Sequence, residues 1–170
     1  MTWKLPFDNK KSVVIALLVL FLLFVSYGVF AAEIEVGPTY TGEFNGGTGL
    51  VVTERVFDGK IDIGVALMGE QTWEGITVGN NGNVFFAFVA KRPERWWKVL
   101  PSEVTFGAAH WIKTDKNLIG SRQGFMLGIK WRFKERYSAG IRHWSNSGVV
   151  KPNRGQDFPN LGLVLTGDFY

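Results

Sequence analysis

From Glu33 onward, apolar and polar side chains alternate every second residue in short runs, with turn-forming residues between them. That is the period of a β-strand, and no later segment carries the 3.6-residue period of an amphipathic helix. The first run is Glu33 to Tyr40, with Ile34, Val36 and Tyr40 on one face and Glu33, Glu35 and Thr39 on the other. The second is about Thr48 to Val56, after the turn Asn45-Gly46-Gly47. The third is Lys60 to Glu70, where Ile61, Ile63, Val65 and Leu67 alternate with Asp62, Gly64, Ala66 and Met68. Asn80-Asn81-Gly82 marks a turn into a fourth run, Asn83 to Lys91, which is apolar on both faces and leaves its orientation open. A Trp-rich basic connection, Arg92 to Leu100, leads to the fifth run, about Val104 to Ile112. The sixth, Arg122 to Phe133, sets Phe125, Leu127, Ile129, Trp131 and Phe133 against Gly124, Met126, Gly128, Lys130 and Arg132. The seventh is Arg136 to Asn146, and the eighth is about Asp157 to Tyr170.

Eight antiparallel strands can close into a narrow barrel whose interior is filled by side chains. Long apolar faces opposite polar or glycine-rich ones predict an all-β, eight-stranded antiparallel transmembrane β-barrel, with lipid outside and a polar interior. Glu33, Glu35, Asp62, Glu70, Lys130, Arg132 and Arg142 then point inward and can pair. Alternation alone does not say which face is inside, and a soluble lipocalin-like barrel would reverse it. Two features favour the membrane: the chain ends on a strand, at Phe169-Tyr170, and aromatics cluster near strand ends. Trp96, Trp97, Trp111, Trp131, Tyr137, Trp144 and Tyr170 are expected to form an interfacial girdle.

Ahead of the strands, Met1 to Lys11 is a basic segment and Val13 to Val25 an uninterrupted apolar run. Val29 and Ala31 supply small residues for cleavage after Ala31, as in a secretory signal peptide. The expected division is a signal peptide over 1–31 and a barrel over 32–170. An uncleaved anchor is the alternative, because Ser12 to Ala32 is long enough to span a bilayer.

Composition narrows the function. Hydrophobic residues make up 46% and charged residues 20%, too polar for a helical membrane bundle and too apolar for disorder. With no cysteine, disulfides, thiolate metal sites and a Cys nucleophile are excluded, and two histidines argue against a His-rich metal site. Setting aside Lys4, Asp8, Lys10 and Lys11 leaves 16 basic and 14 acidic residues, a balance that does not argue for nucleic-acid binding. No Gly-x-Ser-x-Gly elbow, P-loop or dinucleotide fingerprint occurs.

The informative chemistry is at the end of the seventh run. His143 and Ser145 stand two apart and share a strand face, following Tyr137, Ala139 and Ile141. Polar groups on a lipid-facing surface are costly unless paired. A catalytic use exists: His activates Ser, an acid orients the His, and Asp157 can lie beside it across the connecting loop. Asn146, Gly148 and Asn153 can supply oxyanion donors. Spacing alone equally allows a His and a Ser hydrogen-bonded near a strand end. His110, beside Trp111, reads as an interfacial or loop histidine. The run Lys91 to Lys98 reads either as a solvated loop or as a grip for lipid phosphates.

His143-Trp144-Ser145-Asn146-Ser147-Gly148, followed by Pro152-Asn153-Arg154-Gly155, resembles the His-x-Ser-Asn-x-Gly signature of PagL-type lipid A 3-O-deacylases. The specific match covers about the last thirty residues. The resemblance implies an eight-stranded outer-membrane barrel with its triad on the outer surface, acting as a serine esterase on the lipid A of lipopolysaccharide without cofactor or metal. It makes Ser145 the nucleophile, His143 the base and Asp157 the acid, with Asn146, Gly148 and Asn153 at the oxyanion. The implied partners are lipid A and outer-membrane lipids, with a homodimer left open. The family pattern carries Glu where this chain has Asp157, and Asp168 stands where a strong barrel-insertion signal has an apolar residue. The alternative is a non-catalytic small outer-membrane barrel, structural or adhesive.

Overall fold

A computed structural model describes residues 31–41, 44–69, 71–78, 82–113, 120–134, 136–146, 148, 151 and 153–165. Residues 1–30 of the signal peptide expected over 1–31, Glu70 and the last five residues, with Asp168, lie outside the described residues. The strands are β1 (Ala31–Thr41), β2 (Phe44–Val56), β3 (Ile61–Met68), β4 (Gln71–Trp73), β5 (Ile76–Val78), β6 (Gly82–Lys91), β7 (Glu103–Trp111), β8 (Gln123–Phe133), β9 (Tyr137–Ser145) and β10 (Gln156–Val164). Eight of them pair antiparallel in the order β1-β2-β3-β6-β7-β8-β9-β10, and β10 returns to β1 to close a barrel. The eight expected runs match these strands to within a few residues at most ends. The addition is β4–β5, a small hairpin turning at Glu74-Gly75, both with positive φ (46° and 79°). Its three-residue strands are too short to show alternation.

Alternation inside each strand decides what fills the barrel. On β7, Glu103, Thr105, Ala109 and Trp111 are buried, while Val104, Phe106, Ala108 and His110 are exposed. β6, the ambiguous run, turns Asn83, Phe85 and Ala87 inward and Val84, Phe86 and Phe88 outward. A belt including Val36, Leu50, Ile63, Phe88, Phe106 and Leu161 faces out. Charged groups inside and large apolar groups outside make this a transmembrane barrel, since a soluble barrel has the reverse arrangement.

The interior has two layers. Toward the end where β1 begins, Arg55 bridges Asp62 and Glu103, and Arg132 bridges Glu103 and Glu33. Lys130 bridges Glu33 and Glu35, and Arg142 clamps Glu35. Four acidic and four basic side chains thus neutralise one another, which a buried charge requires. Toward the other end the filling is apolar, with Val51, Met68, Phe85, Trp111, Met126 and Phe158 around Trp144. Arg142 joins the layers, its guanidinium 5.2 Å from the Phe85 ring centroid.

This core corrects the expected aromatic girdle. Trp111 and Trp144 are fully buried in the lumen. They share strand faces with Glu103 and Arg142, so the two-residue period carries them inward however close they lie to a strand end. A Cβ on Gly124 would come within 2.5 Å of the Trp111 ring, so its absence makes room for the indole. Trp96, Trp97 and Tyr137 are exposed, and Trp131 is partly so.

Candidate active site

The candidate residues sit on the outer wall, at the barrel end opposite the strand termini Ala31 and Val164. On β9 the outward series is Tyr137, Ala139, Ile141, His143 and Ser145. The inward series is Ser138, Arg142 and Trp144. Trp144 therefore anchors the strand from within. Its ring lies 6.1 Å from both Phe85 and Phe158, so the segment bearing His143 and Ser145 is held from behind by a close-packed core.

Register brings Asp157 to His143. Asp157 is the direct cross-strand partner of His143, and His143 Nδ1 donates to Asp157 Oδ1 at 2.7 Å. Facing residues have Cβ atoms only about 4.5–5.5 Å apart. The short Asp side chain therefore reaches the ring without distorting the strands, and the bond leaves Nε2 as the basic nitrogen. Neither side chain is deeply buried, with 39% and 49% exposed for His143 and Asp157.

The loop after β9 folds back over Ser145. Asn153 Nδ2 donates to Ser145 Oγ at 2.9 Å, and Ser145 Oγ lies 3.0 Å from Asn153 Oδ1, which also accepts the Asn146 N–H at 3.0 Å. The Gly148 N–H donates to Asn146 Oδ1 at 3.0 Å, at a residue with φ of 72°. The Asn146 and Gly148 amides thus bond within the loop, and the donor at Ser145 Oγ is the Asn153 side chain. All six residues expected at the site are described, and they group at this one loop.

Two neighbours went unassigned from the pattern. Gly155 has φ of 66°, and a Cβ there would meet His143 Cε1 at 2.8 Å and lie 3.4 Å from Nε2. Only glycine lets the loop pass the imidazole edge; the available signal was a glycine two residues before Asp157. Phe125 is the β8 partner of Ser145, and its ring centroid is 6.2 Å from that of His143. His110 is exposed on β7, apart from this group.

Below the site, a groove of about 460 Å³ crosses the outer wall. It starts at the Ile141–Pro159 pair, the next outward rung after His143–Asp157, and its lining includes Pro38, Ala139, Leu161 and Trp131. Ala139 lies between Trp131 and Leu161 in register, and its small side chain opens the trough. Among the described residues no cluster of three or more His, Asp or Glu side chains is arranged to hold a metal ion.

No protein-family model matches the chain. No curated protein matches it either. Among solved structures, that of the outer membrane enzyme PagL is similar, with a TM-score of 0.46 and 20% identity, over 81% of this chain and 99% of that one. At this level the likeness is one of fold.

Proposed function

We propose that the chain is an outer-membrane serine esterase that removes an ester-linked hydroxyacyl chain from lipid A. The observation that carries this reading is the 2.7 Å bond from His143 to Asp157 on the outward wall, beside Ser145 with the Asn153 amide at its Oγ. A carboxylate-oriented histidine next to a serine is the minimum that a hydroxyl nucleophile needs. Its position on a lipid-facing wall, with an apolar trough beneath, selects a membrane lipid as substrate. Three of the four connections at this end, 69–81, 112–122 and 146–155, are long, against one of three, 92–102, at the other, which supports an orientation with the site outside the cell in a bacterial outer membrane. Lipid A, and the 3-position in particular, comes with the signature His143-Trp144-Ser145-Asn146. In this reading 1–31 is a cleaved signal peptide.

The acyl chain lies in the trough with its ester carbonyl at Ser145. The Ser145 hydroxyl turns from Asn153 Oδ1 to His143 Nε2, which takes its proton as Oγ attacks. Asp157 stabilises the resulting imidazolium, and Asn153 Nδ2 donates to the oxyanion. The tetrahedral intermediate collapses, and His143 returns the proton to the departing sugar hydroxyl. Water, deprotonated by the same histidine, then cleaves the acyl-enzyme.

Mass spectrometry of lipid A from Gram-negative cells expressing the chain, beside Ser145→Ala, tests this. Loss of one hydroxyacyl group with the wild type alone is the expected result. An unchanged profile from a barrel shown to be folded in the outer membrane would favour the non-catalytic barrel.

A further inference from the structure

The connection between β6 and β7 does not project away from the barrel. Arg92 N–H donates to the Ser102 carbonyl at 2.9 Å and closes the loop at its base. Trp96 N–H to Pro93 O and Leu100 N–H to Trp97 O, both 3.1 Å, form two turns within it. The Arg92 guanidinium reaches back to the carbonyls of Trp97 and Leu100, at 2.5 Å each, and so serves the loop's own structure. The closed loop is then tied sideways, across β7, to β8. Trp131 Nε1 donates to the Val99 carbonyl at 3.1 Å, and the Arg132 N–H donates to Ser102 Oγ at 3.1 Å. Trp131 is on the outward face, so the loop lies against the lipid-facing wall, at the barrel end opposite His143 and Ser145.

What this wing presents is both apolar and cationic. Trp97 is 79% and Val99 74% exposed, and Trp96 and Leu100 are exposed as well. They continue into the apolar belt at Val104 and Phe106. Arg95 and Lys98 are exposed among them, against the single exposed carboxylate of Glu94, and a shallow cleft of about 330 Å³ is lined by Arg95, Trp96, Trp97 and Leu100. Indoles favour the water–hydrocarbon boundary, and guanidinium and ammonium groups pair with phosphate there. The loop cannot hold the phosphates of a lipid whose ester is at Ser145, because the two lie at opposite ends of the strands.

We infer that this wing is a binding site for an acidic glycerophospholipid of the leaflet at the strand-terminus end. The phosphate meets Arg95 and Lys98, the glycerol backbone sits in the Trp96–Trp97 cleft, and the acyl chains run along Val104 and Phe106. The site depends on the barrel spanning a membrane and not on the esterase reading.

Native mass spectrometry of the full chain, folded and delipidated in nonionic detergent, tests the inference. The probes are phosphatidylglycerol and phosphatidylethanolamine with matched acyl chains. Phosphatidylglycerol is expected to bind roughly tenfold more tightly, on the scale of the attraction between one or two cations and an anionic surface. Arg95→Gln with Lys98→Gln should abolish the preference, and Lys60→Gln with Lys134→Gln, at the turns of the same end, should leave it intact. Heat-modifiable gel mobility checks each variant for a closed barrel. Equal binding of the two lipids, a preference that survives R95Q/K98Q, or one lost equally in K60Q/K134Q would each overturn the inference. Ser145→Ala should bind both lipids as the wild type does.

Discussion

At the scale of single residues, the site depends on one short bond and one missing side chain. Asp157→Asn keeps the shape but removes the charge and allows the wrong imidazole tautomer, so lipid A deacylation should fall by about 10⁴. Its rate in detergent-solubilised protein measures this, and a loss under tenfold would remove Asp157 from the mechanism. Gly155→Ala asks an alanine to adopt φ of 66° and sets its Cβ against His143 Cε1. The left-handed conformation costs about 1–2 kcal/mol. A far larger drop in esterase rate than in stability is expected, because the ring itself is displaced. Comparing the urea midpoint with the deacylation rate separates the two.

At the scale of elements, β9 does two things at once. Its inward residues, Arg142 and Trp144, fix it to the ion pairs and the aromatic core. Its outward residues present His143, Ser145 and the trough. Because the trough owes its depth to Ala139, Ala139→Trp should fill it without touching the lumen. Hydrolysis of a long-chain p-nitrophenyl ester should drop about tenfold in kcat/KM, as expected when about two buried methylenes lose their place. A short-chain ester should be hydrolysed as before. Equal effects on both esters would mean that the acyl chain lies elsewhere.

At the scale of the whole molecule, four largely buried cations and four buried carboxylates fill one half of the barrel, and each must keep its partner. Arg142 donates Nε and Nη2 to Glu35 at 2.6 Å each, and both residues are fully buried or nearly so. Arg142→Met leaves Glu35 with Lys130 as its remaining cation in this network. Breaking such a pair costs about 3–5 kcal/mol. The urea midpoint of the barrel in lipid vesicles should fall accordingly, and adding Glu35→Gln should recover part of the loss. Purely additive losses would show that the two side chains are not coupled.

The alternation at a spacing of two residues is local information, and it was enough to place eight strands, both faces of most of them, and the shared face of His143 and Ser145. It also aligned Asp157 with them once the connecting loop was taken as a hairpin. Local alternation does not distinguish inside from outside. That was decided by closure, which places Glu35 and Asp62 beside their cations in a space too small for water-exposed side chains. Once closure had fixed which face is inside, the two-residue period carried Trp111 and Trp144 into the lumen with Glu103 and Arg142, against the expectation drawn from their closeness to strand ends. Non-periodic segments depend on distant partners: Asn153 over Ser145, Gly155 against His143, and the 92–102 loop lying down on Trp131. The order of residues along the chain therefore determined the barrel's strands and the identity of its chemical groups. Tertiary structure alone decided the meetings outside the strands, Asn153 with Ser145 and Gly155 with His143, because these contacts link residues that no sequence period relates.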